Sequence, residues 1–406
     1  MSRAIVLGGG ITGTLSALEL RRRGFEVVLL EGVHVGAGSS SRTAAGIRQQ
    51  FSTRETVLGM RYSVGFYADW HQHIGGGGQP IQQNGYLFLL DDEEQWSAAQ
   101  ARVARQQQWG LSEVQALSPE VLVERFPFVD PEAIVGGTWC PTDGFLRPEV
   151  VYNDAAACFR AEGGQLLQNT PVTGSKSAGG RLKAVQTPKG LFEGDLFLDC
   201  TNAWTRRVAP LLGATQLPVA ALKRYLWFVE RAGEMSSEEL LAMPLTIAPS
   251  GAYCRPENSA SLMFGWKHDA PDVSADFSYT DQDSVEPDFS HKSGVEARPF
   301  EGWMALAEVM PPLAEFAGIS ATTAGFYGTT PDHNPFLDFD PQVENLIRLV
   351  GFSGHGAMFG PFTARVAAEL AQAGRSLDSV SVLGSQAELA SFRIGRAFAH
   401  AESMVI

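Results

Sequence analysis

The chain of 406 residues is poor in cysteine, with four thiols, Cys140, Cys158, Cys200 and Cys254, all far apart. That spacing matches no zinc or iron–sulfur pattern and no disulfide framework, so the thiols read as small buried hydrophobes. The histidines are scattered too: His71 and His73 flank one glutamine beside a GGGG turn, and no metal site is expected. No uninterrupted apolar run approaches the roughly 20 residues needed to span a bilayer. Basic residues are outnumbered, 31 against 45 acidic, which leaves a net charge of -14. A surface of that sign gains nothing from counterion release or from anionic lipid, so neither nucleic acid nor a membrane is an expected partner. A strand signal begins within a few residues of Met1 and leaves no room for a signal or transit peptide; a cytoplasmic location is expected. What is present is a globular composition, 44% hydrophobic and 19% charged, in a chain long enough for two cores. A small-molecule enzyme is the class left.

The opening stretch AIVLGGGITGTLSALELRRRGFEVVLLE (4–31) reads as strand, glycine turn, helix, strand and terminal acid. Gly8, Gly10 and Gly13 give the G-x-G-x-x-G spacing: a tight turn, close approach of a pyrophosphate to the backbone, and close packing of helix on strand. The spacing predicts a helix over 12–23 stopped by Gly24, with an N-terminus whose free N–H groups and dipole favour an anion. A second strand over 25–30 ends at Glu31, placed to accept hydrogen bonds from ribose hydroxyls. An acid there argues against a 2′-phosphate. The motif alone leaves FAD and NAD both open.

Further along, a Gly/Ser loop (36–41) precedes TAAGIRQQFS, and a helix is expected over 55–73. A strand is expected over 84–90, a polar helix with an apolar stripe over 91–109, a helix over 150–162 and a strand over 194–200. Residues 219–265 are strand-rich, with 223–230 and 260–266 the clearest. Residues 269–298 are acidic and lack periodicity, which reads as a long loop or lid. The last third returns to α/β style, with a strand over 346–350, the turn GFSGHG and a helix over 360–373. The expected fold is α/β: a discontinuous Rossmann-like cofactor domain (1–83, 145–217 and 324–406) with an inserted α+β substrate domain (84–144 and 218–323) built on a mostly antiparallel sheet.

With these segments in view, the chain resembles the D-amino-acid oxidase-like superfamily of FAD-dependent oxidoreductases, in the sarcosine oxidase, dimethylglycine dehydrogenase and glycine oxidase branch. The resemblance rests on the N-terminal βαβ unit, GSSSRTAAGIRQQFS (38–52), DGFLRPEVV (143–151), FLDCTNAWT (197–205), GAYCRPE (251–257), YGTTPDHNPFLD (327–338) and GFSGHGAMFGPFTARVAAEL (351–370). It implies FAD as cofactor. By the same resemblance, Gly8, Gly10, Ile11, Thr12, Gly13 and Glu31 hold the adenosine and pyrophosphate end, and Gly38, Ser39, Ser40, Arg42, Thr43 and Ala44 wrap the flavin side. Val172, in a strand beginning at Thr170, contacts the adenine; Ala203 and Trp204 form a turn against the cofactor. Gly354, His355, Gly356, Ala357 and Met358 border the flavin's pyrimidine, where a helix N-terminus stabilises negative charge. Relatives with a cysteine-linked flavin have that cysteine where this chain has Gly325, and those linked through histidine have it where this chain has Thr43. FAD is therefore expected to be noncovalent. The lysine that promotes reaction with oxygen in sarcosine oxidases falls at Met263, and the carboxylate-binding lysine at Met358.

The implied activity is oxidation of an amine or amino-acid C–N bond by hydride transfer to flavin N5, hydrolysis of the imine, and reoxidation by O2 or another acceptor, with an oxidase slightly favoured. Arg48, kept from the family's G-I-R segment, is the first substrate-binding candidate, because a guanidinium holds a carboxylate through two parallel hydrogen bonds; bracing of the cofactor loop or pairing with a surface acid is an equally good reading. Tyr253 is a candidate lining residue or a core aromatic, and His355 a proton handler or a structural neighbour of the cofactor. Lys267 reads as an oxygen-activating cation or a surface lysine, and Asp332 as a turn residue. Met263, Phe264, Trp266 and Met358 point to a bulky or apolar substrate more than to sarcosine. Two other functions stay open: a 2-hydroxy-acid oxidoreductase acting on C–O, and a noncatalytic flavoprotein interaction factor.

Overall fold

The computed structural model describes residues 2–230, 235–266, 285–287, 299–315, 318–399 and 401–404. The first strand, Arg3–Leu7, runs parallel between Glu26–Leu30 and Leu196–Asp199. Its apolar run suits a strand covered on both faces by the crossover helices that a parallel sheet requires. A six-stranded sheet results, in the order Phe336–Phe339, Leu346–Val350, Leu196–Asp199, Arg3–Leu7, Glu26–Leu30, Gln165–Leu167. All neighbours are parallel except the edge hairpin of Phe336–Phe339 with Leu346–Val350. The helix Ile11–Arg22 is buried on nearly every side, packed between Pro148–Ala161 and Gly356–Ala373. Contact with the latter is close enough that a Cβ on Gly360 would meet Ile11 Cγ2 at 2.7 Å.

An eight-stranded sheet has the order Ile319–Thr329, Ala220–Glu230, Ser261–Gly265, Tyr253–Asn258, Leu245–Ile247, Tyr86–Leu90, Gly136–Cys140, Gln115–Leu117. Only Leu245–Ile247 with Tyr86–Leu90 is parallel. Side-chain alternation splits this sheet into two buried faces. Leu87, Leu89, Cys254, Leu262 and Phe264 pack on one side around Trp303. Tyr86, Phe88, Tyr253 and Met263 pack on the other. A small sheet joins Gly46–Ile47, Gly144–Leu146 and Ile81–Gln82, which sets the residues after Ile47 beside Asp143.

Several boundaries differ from the sequence expectation. The helix expected over 55–73 is two, Arg54–Ala68 and Trp70–His73, because Asp69 leaves helical geometry at ψ 27°. The helix expected from residue 360 starts at Gly356 and contains Pro361, and the Ala357 carbonyl that Pro361 cannot serve accepts instead from the Tyr67 hydroxyl at 2.7 Å. Thr170 does not begin a strand: its N–H bonds to Glu31 O, Pro171 follows, and the strand is Gly174–Ala178. The stretch 269–298 lies outside the described residues except for 285–287, as does Lys267.

A buried ion cluster ties the end of the central sheet together. Arg348 sits between Asp199, at 3.0 Å, and Asp340, at 2.7 Å, all three without exposed side-chain surface in these pairs. Asp199 also accepts from Thr201 and Thr205, so the turn that follows its strand is fixed from below.

Candidate active site

At the carboxyl ends of the parallel strands Arg3–Leu7, Glu26–Leu30 and Leu196–Asp199 opens a cavity of about 450 Å³. This is where an open α/β sheet offers ligands backbone amides and a helix N-terminus. Gly8 turns the chain with φ +103°, a conformation only glycine adopts without strain. Gly13 allows the contact of helix on strand, since a Cβ there would stand 1.8 Å from Gly8 O. Glu31 is held by two backbone donors, Gly9 N–H to Oε2 at 2.6 Å and Val33 N–H to Oε1 at 2.8 Å. Ser40 Oγ accepts from Ile11 N–H at 3.0 Å, and Ser39 Oγ donates to Phe326 O at 2.6 Å, so the serine loop spans from the first helix to the eight-stranded sheet. At the far end Asn202 Oδ1 accepts from Gly351 and Phe352 N–H groups, shaping the second glycine turn. Gly356 and Ala357, the first residues of the long helix, line that end.

These features fit a flavin dinucleotide. The cavity joins a phosphate cradle that a side chain at Gly10 would fill, its Cβ 2.8 Å from Ser40 Oγ, to a second helix N-terminus. An acid fixed by two amides stands at the nucleoside end.

Beside the glycine turn lies Arg48, 1% exposed. Its guanidinium faces the Phe51 ring at 4.0 Å and the Phe88 and Tyr86 rings at 5.5 and 5.8 Å. Nη1 donates to Gln50 O at 2.6 Å; Nη2 lies 3.4 Å from His355 Nε2 and donates to Met404 O. Nε is buried without a hydrogen-bond partner. Among the described residues, no carboxylate stands within ion-pair distance of Arg48. Burial lowers its pKa, opposed by Tyr86, Glu402 and Asp143, yet a guanidinium stays charged.

Asp143 supplies the nearby counter-charge through amides. Its Oδ1 accepts from Gln49 N and Nε2, both at 2.9 Å, and its Oδ2 from Gln50 Nε2 at 3.1 Å. Burial raises its pKa to about 6 against these bonds and the Arg48 charge. His355 is pushed well below the usual imidazole range by burial, then by Arg48 and His333, so it is neutral at pH 7. Tyr253 shares a side-chain hydrogen bond with Tyr327, and burial pushes both phenols up.

Of the residues expected to hold the cofactor, Gly8, Gly10, Ile11, Thr12, Glu31, Gly38, Ser39, Ser40, Arg42, Thr43, Val172, Trp204, Gly354, Gly356 and Ala357 line the cavity. Five others do not. Gly13 packs under Gly8; Ala44 faces the Tyr86–Tyr253 cluster; Ala203 lies beneath Phe326. Met358 points into the helix core, and the His355 ring turns to Arg48 and Phe51. The arginine and tyrosine candidates converge, for Arg48 faces Tyr86 and Tyr253 packs in the same cluster. Met263 belongs to that cluster, whereas Phe264 faces the opposite side of the sheet. Arg255 braces the loop before Arg48 through Ala44 O at 2.8 Å, and Asp332 anchors its turn to Arg396 at 2.7 Å. Sequence reasoning missed Asn202, Tyr327 and Asp143. The first two lay inside quoted motifs, and Asp143 precedes a glycine in one, but no spacing rule marks their partners.

A family model described as FAD dependent oxidoreductase, DAO, matches residues 3–370. FAD-dependent oxidoreductase domain-containing protein 1 of Xenopus laevis is 28% identical over 410 residues, covering 90% of this chain and 78% of that protein. N-methyl-L-tryptophan oxidase of Salmonella arizonae is 25% identical, covering 90% of this chain and 94% of that protein. Among solved structures, L-proline dehydrogenase from P. horikoshii superposes with a TM-score of 0.81 at 28% identity, covering 92% of this chain and 94% of that one.

Proposed function

The chain belongs to the DAO family of FAD-dependent oxidoreductases, and from that premise we propose that it oxidises the C–N bond of an amino acid or an N-substituted amino acid. The observation that carries this reading is Arg48: a fully buried cation, ringed by aromatics, with one free N–H and, among the described residues, no carboxylate within ion-pair distance. A buried charge of this kind is stable when an anion completes it, and a substrate carboxylate does so with bidentate geometry.

FAD, when bound, supplies the acceptor for the hydride that leaves the substrate carbon. The glycine turn, Glu31, Ser40 and the N-terminus of Gly356–Ala373 would hold it. Of the protein's groups, Arg48 orients the substrate by its carboxylate, and the apolar face made by Phe88, Leu245, Ile247 and Met263 excludes water. The neutral His355 and the neutral phenols of Tyr253 and Tyr327 add no charge of their own to that of Arg48. A protonated amine is disfavoured beside it, so the substrate enters its reactive, neutral form. The same apolar face favours a nonpolar side chain over sarcosine. Binding of FAD without a covalent link is supported by Gly325, where a Cβ would stand 2.4 Å from Arg42 O, leaving no room for a cysteine. The two large sheets support a division into cofactor-binding and substrate-binding parts, with Ile319–Thr329 assigned whole to the latter.

Anaerobic bleaching of the bound flavin by a panel of amino acids, N-methyl amino acids, their decarboxylated amines and 2-hydroxy acids tests this reading. Apolar amino acids are expected to bleach and 2-hydroxy acids are not; bleaching by hydroxy acids alone would select C–O oxidation instead. Arg48→Met should lower kcat/KM for carboxylate substrates about a hundredfold, the worth of two charge-assisted hydrogen bonds, and leave decarboxylated amines near the wild-type rate. Peroxide formation on admission of air identifies oxygen as the acceptor.

A further inference from the structure

The carboxylate edge of Arg48 is already half occupied. A guanidinium presents a carboxylate with two parallel N–H groups, Nε and the adjacent Nη2. Here Nε has no partner, while Nη2 donates to the main-chain carbonyl of Met404, 356 residues away in sequence. Residues 402–404 are held in place by more than this one contact. The carboxylate of Glu402, 1% exposed, accepts from Ser52 N at 2.9 Å, Ser52 Oγ at 2.6 Å and Met404 N at 3.0 Å. Glu402 N–H donates to Asp332 O at 2.9 Å and Ser403 N–H to Ser52 Oγ at 3.1 Å. Ser52 belongs to the segment that carries Arg48. The Met404 side chain packs against the Tyr86, Phe88 and Tyr253 cluster, where the proposed substrate's side chain would lie.

We propose that residues 402–404 are a built-in competitor for the substrate carboxylate. The Met404 carbonyl solvates the buried cation as an acceptor without neutralising it, and bidentate binding of a carboxylate to Nε and Nη2 requires that carbonyl to leave. Substrate binding and displacement of this segment are then one event, and the strength of the Glu402–Ser52 clamp sets how much affinity is lost to it. The inference rests on Arg48 being the carboxylate anchor.

Benzoate, read by the perturbation of the visible flavin spectrum, serves as an unreactive carboxylate probe. In the FAD-loaded chain ending after Glu402, which keeps the clamp residue and loses the competing carbonyl, the Kd for benzoate should fall at least tenfold, the scale of one hydrogen bond to a charged group. In the holoenzyme of the unshortened chain, saturating benzoate should raise amide hydrogen exchange at residues 402–404, whose three N–H groups are all bonded in its absence. An unchanged or weaker Kd in the shortened chain, or unchanged or slowed exchange, overturns the competitor while leaving the anchor intact, provided that Arg48→Met abolishes benzoate binding. If Arg48→Met leaves benzoate binding unaltered, the anchor itself is wrong and the competitor falls with it.

Discussion

Asp143 offers a quantitative test of the electrostatics around Arg48. Burial lifts its carboxyl from 3.8 to about 6, so the folded protein holds this proton more tightly than the unfolded chain does. Its contribution to stability is therefore fully present below about pH 4 and lost as pH rises through about 6. At 1.36 kcal/mol per pH unit the whole effect is on the order of 3 kcal/mol, of which about 2 kcal/mol falls between pH 4.5 and 7.5. Asp143→Asn removes the titration. Its amide oxygen can keep the bonds from Gln49, but its NH2 would confront Gln50 Nε2, donor against donor. That mismatch carries a pH-independent cost of about 1–3 kcal/mol. Urea unfolding of both FAD-loaded proteins, followed by tryptophan fluorescence from pH 4.5 to 7.5, should show the variant clearly weaker in acid and gaining about 2 kcal/mol on the wild type by pH 7.5. A difference that stays constant within about 0.5 kcal/mol, or that grows with pH, would refute the assignment of a raised pKa to this carboxyl.

Two further outcomes follow from packing. Arg348→Met leaves Asp199 and Asp340 buried without their cation and should cost about 3–5 kcal/mol in the same unfolding assay; a loss below about 1 kcal/mol would mean that the threonine and backbone donors suffice. Acid precipitation should release the yellow flavin to the supernatant, as expected where Gly325 stands in place of a linking cysteine; colour remaining with the pellet would establish a covalent bond.

Much of the cofactor cavity was legible because its determinants are local. Gly8, Gly10, Gly13 and Glu31 lie within one strand–helix–strand unit, so their spacing alone fixes how they meet, and Gly13 acts by what it lacks. The antiparallel sheet was legible as a strand-rich stretch over 219–265, whereas the division of Tyr253 from Cys254 and of Met263 from Phe264 between two buried apolar faces shows only in the structure. Met358 and His355, expected beside the flavin, do not line the cavity: the helix starts at Gly356, four residues before the expected position, which turns Met358 into the core and leaves His355 as its cap. Asp143 carries no local sign of its role, since it acts on residues 49 and 50 through a three-stranded sheet closed by chain segments far apart.

The amino-acid order by itself thus determined the phosphate-binding turn, the acid that follows it, the noncovalent expectation and Arg48 as a residue of interest. Only the tertiary structure decided what surrounds that arginine: three aromatic rings, a carboxylate reached through two glutamines, and the carbonyl of Met404 across 356 residues. Periodicity reports which face of an element is apolar. Whether a buried charge is paired depends on which distant segments the fold brings to it, and no spacing along the chain encodes that.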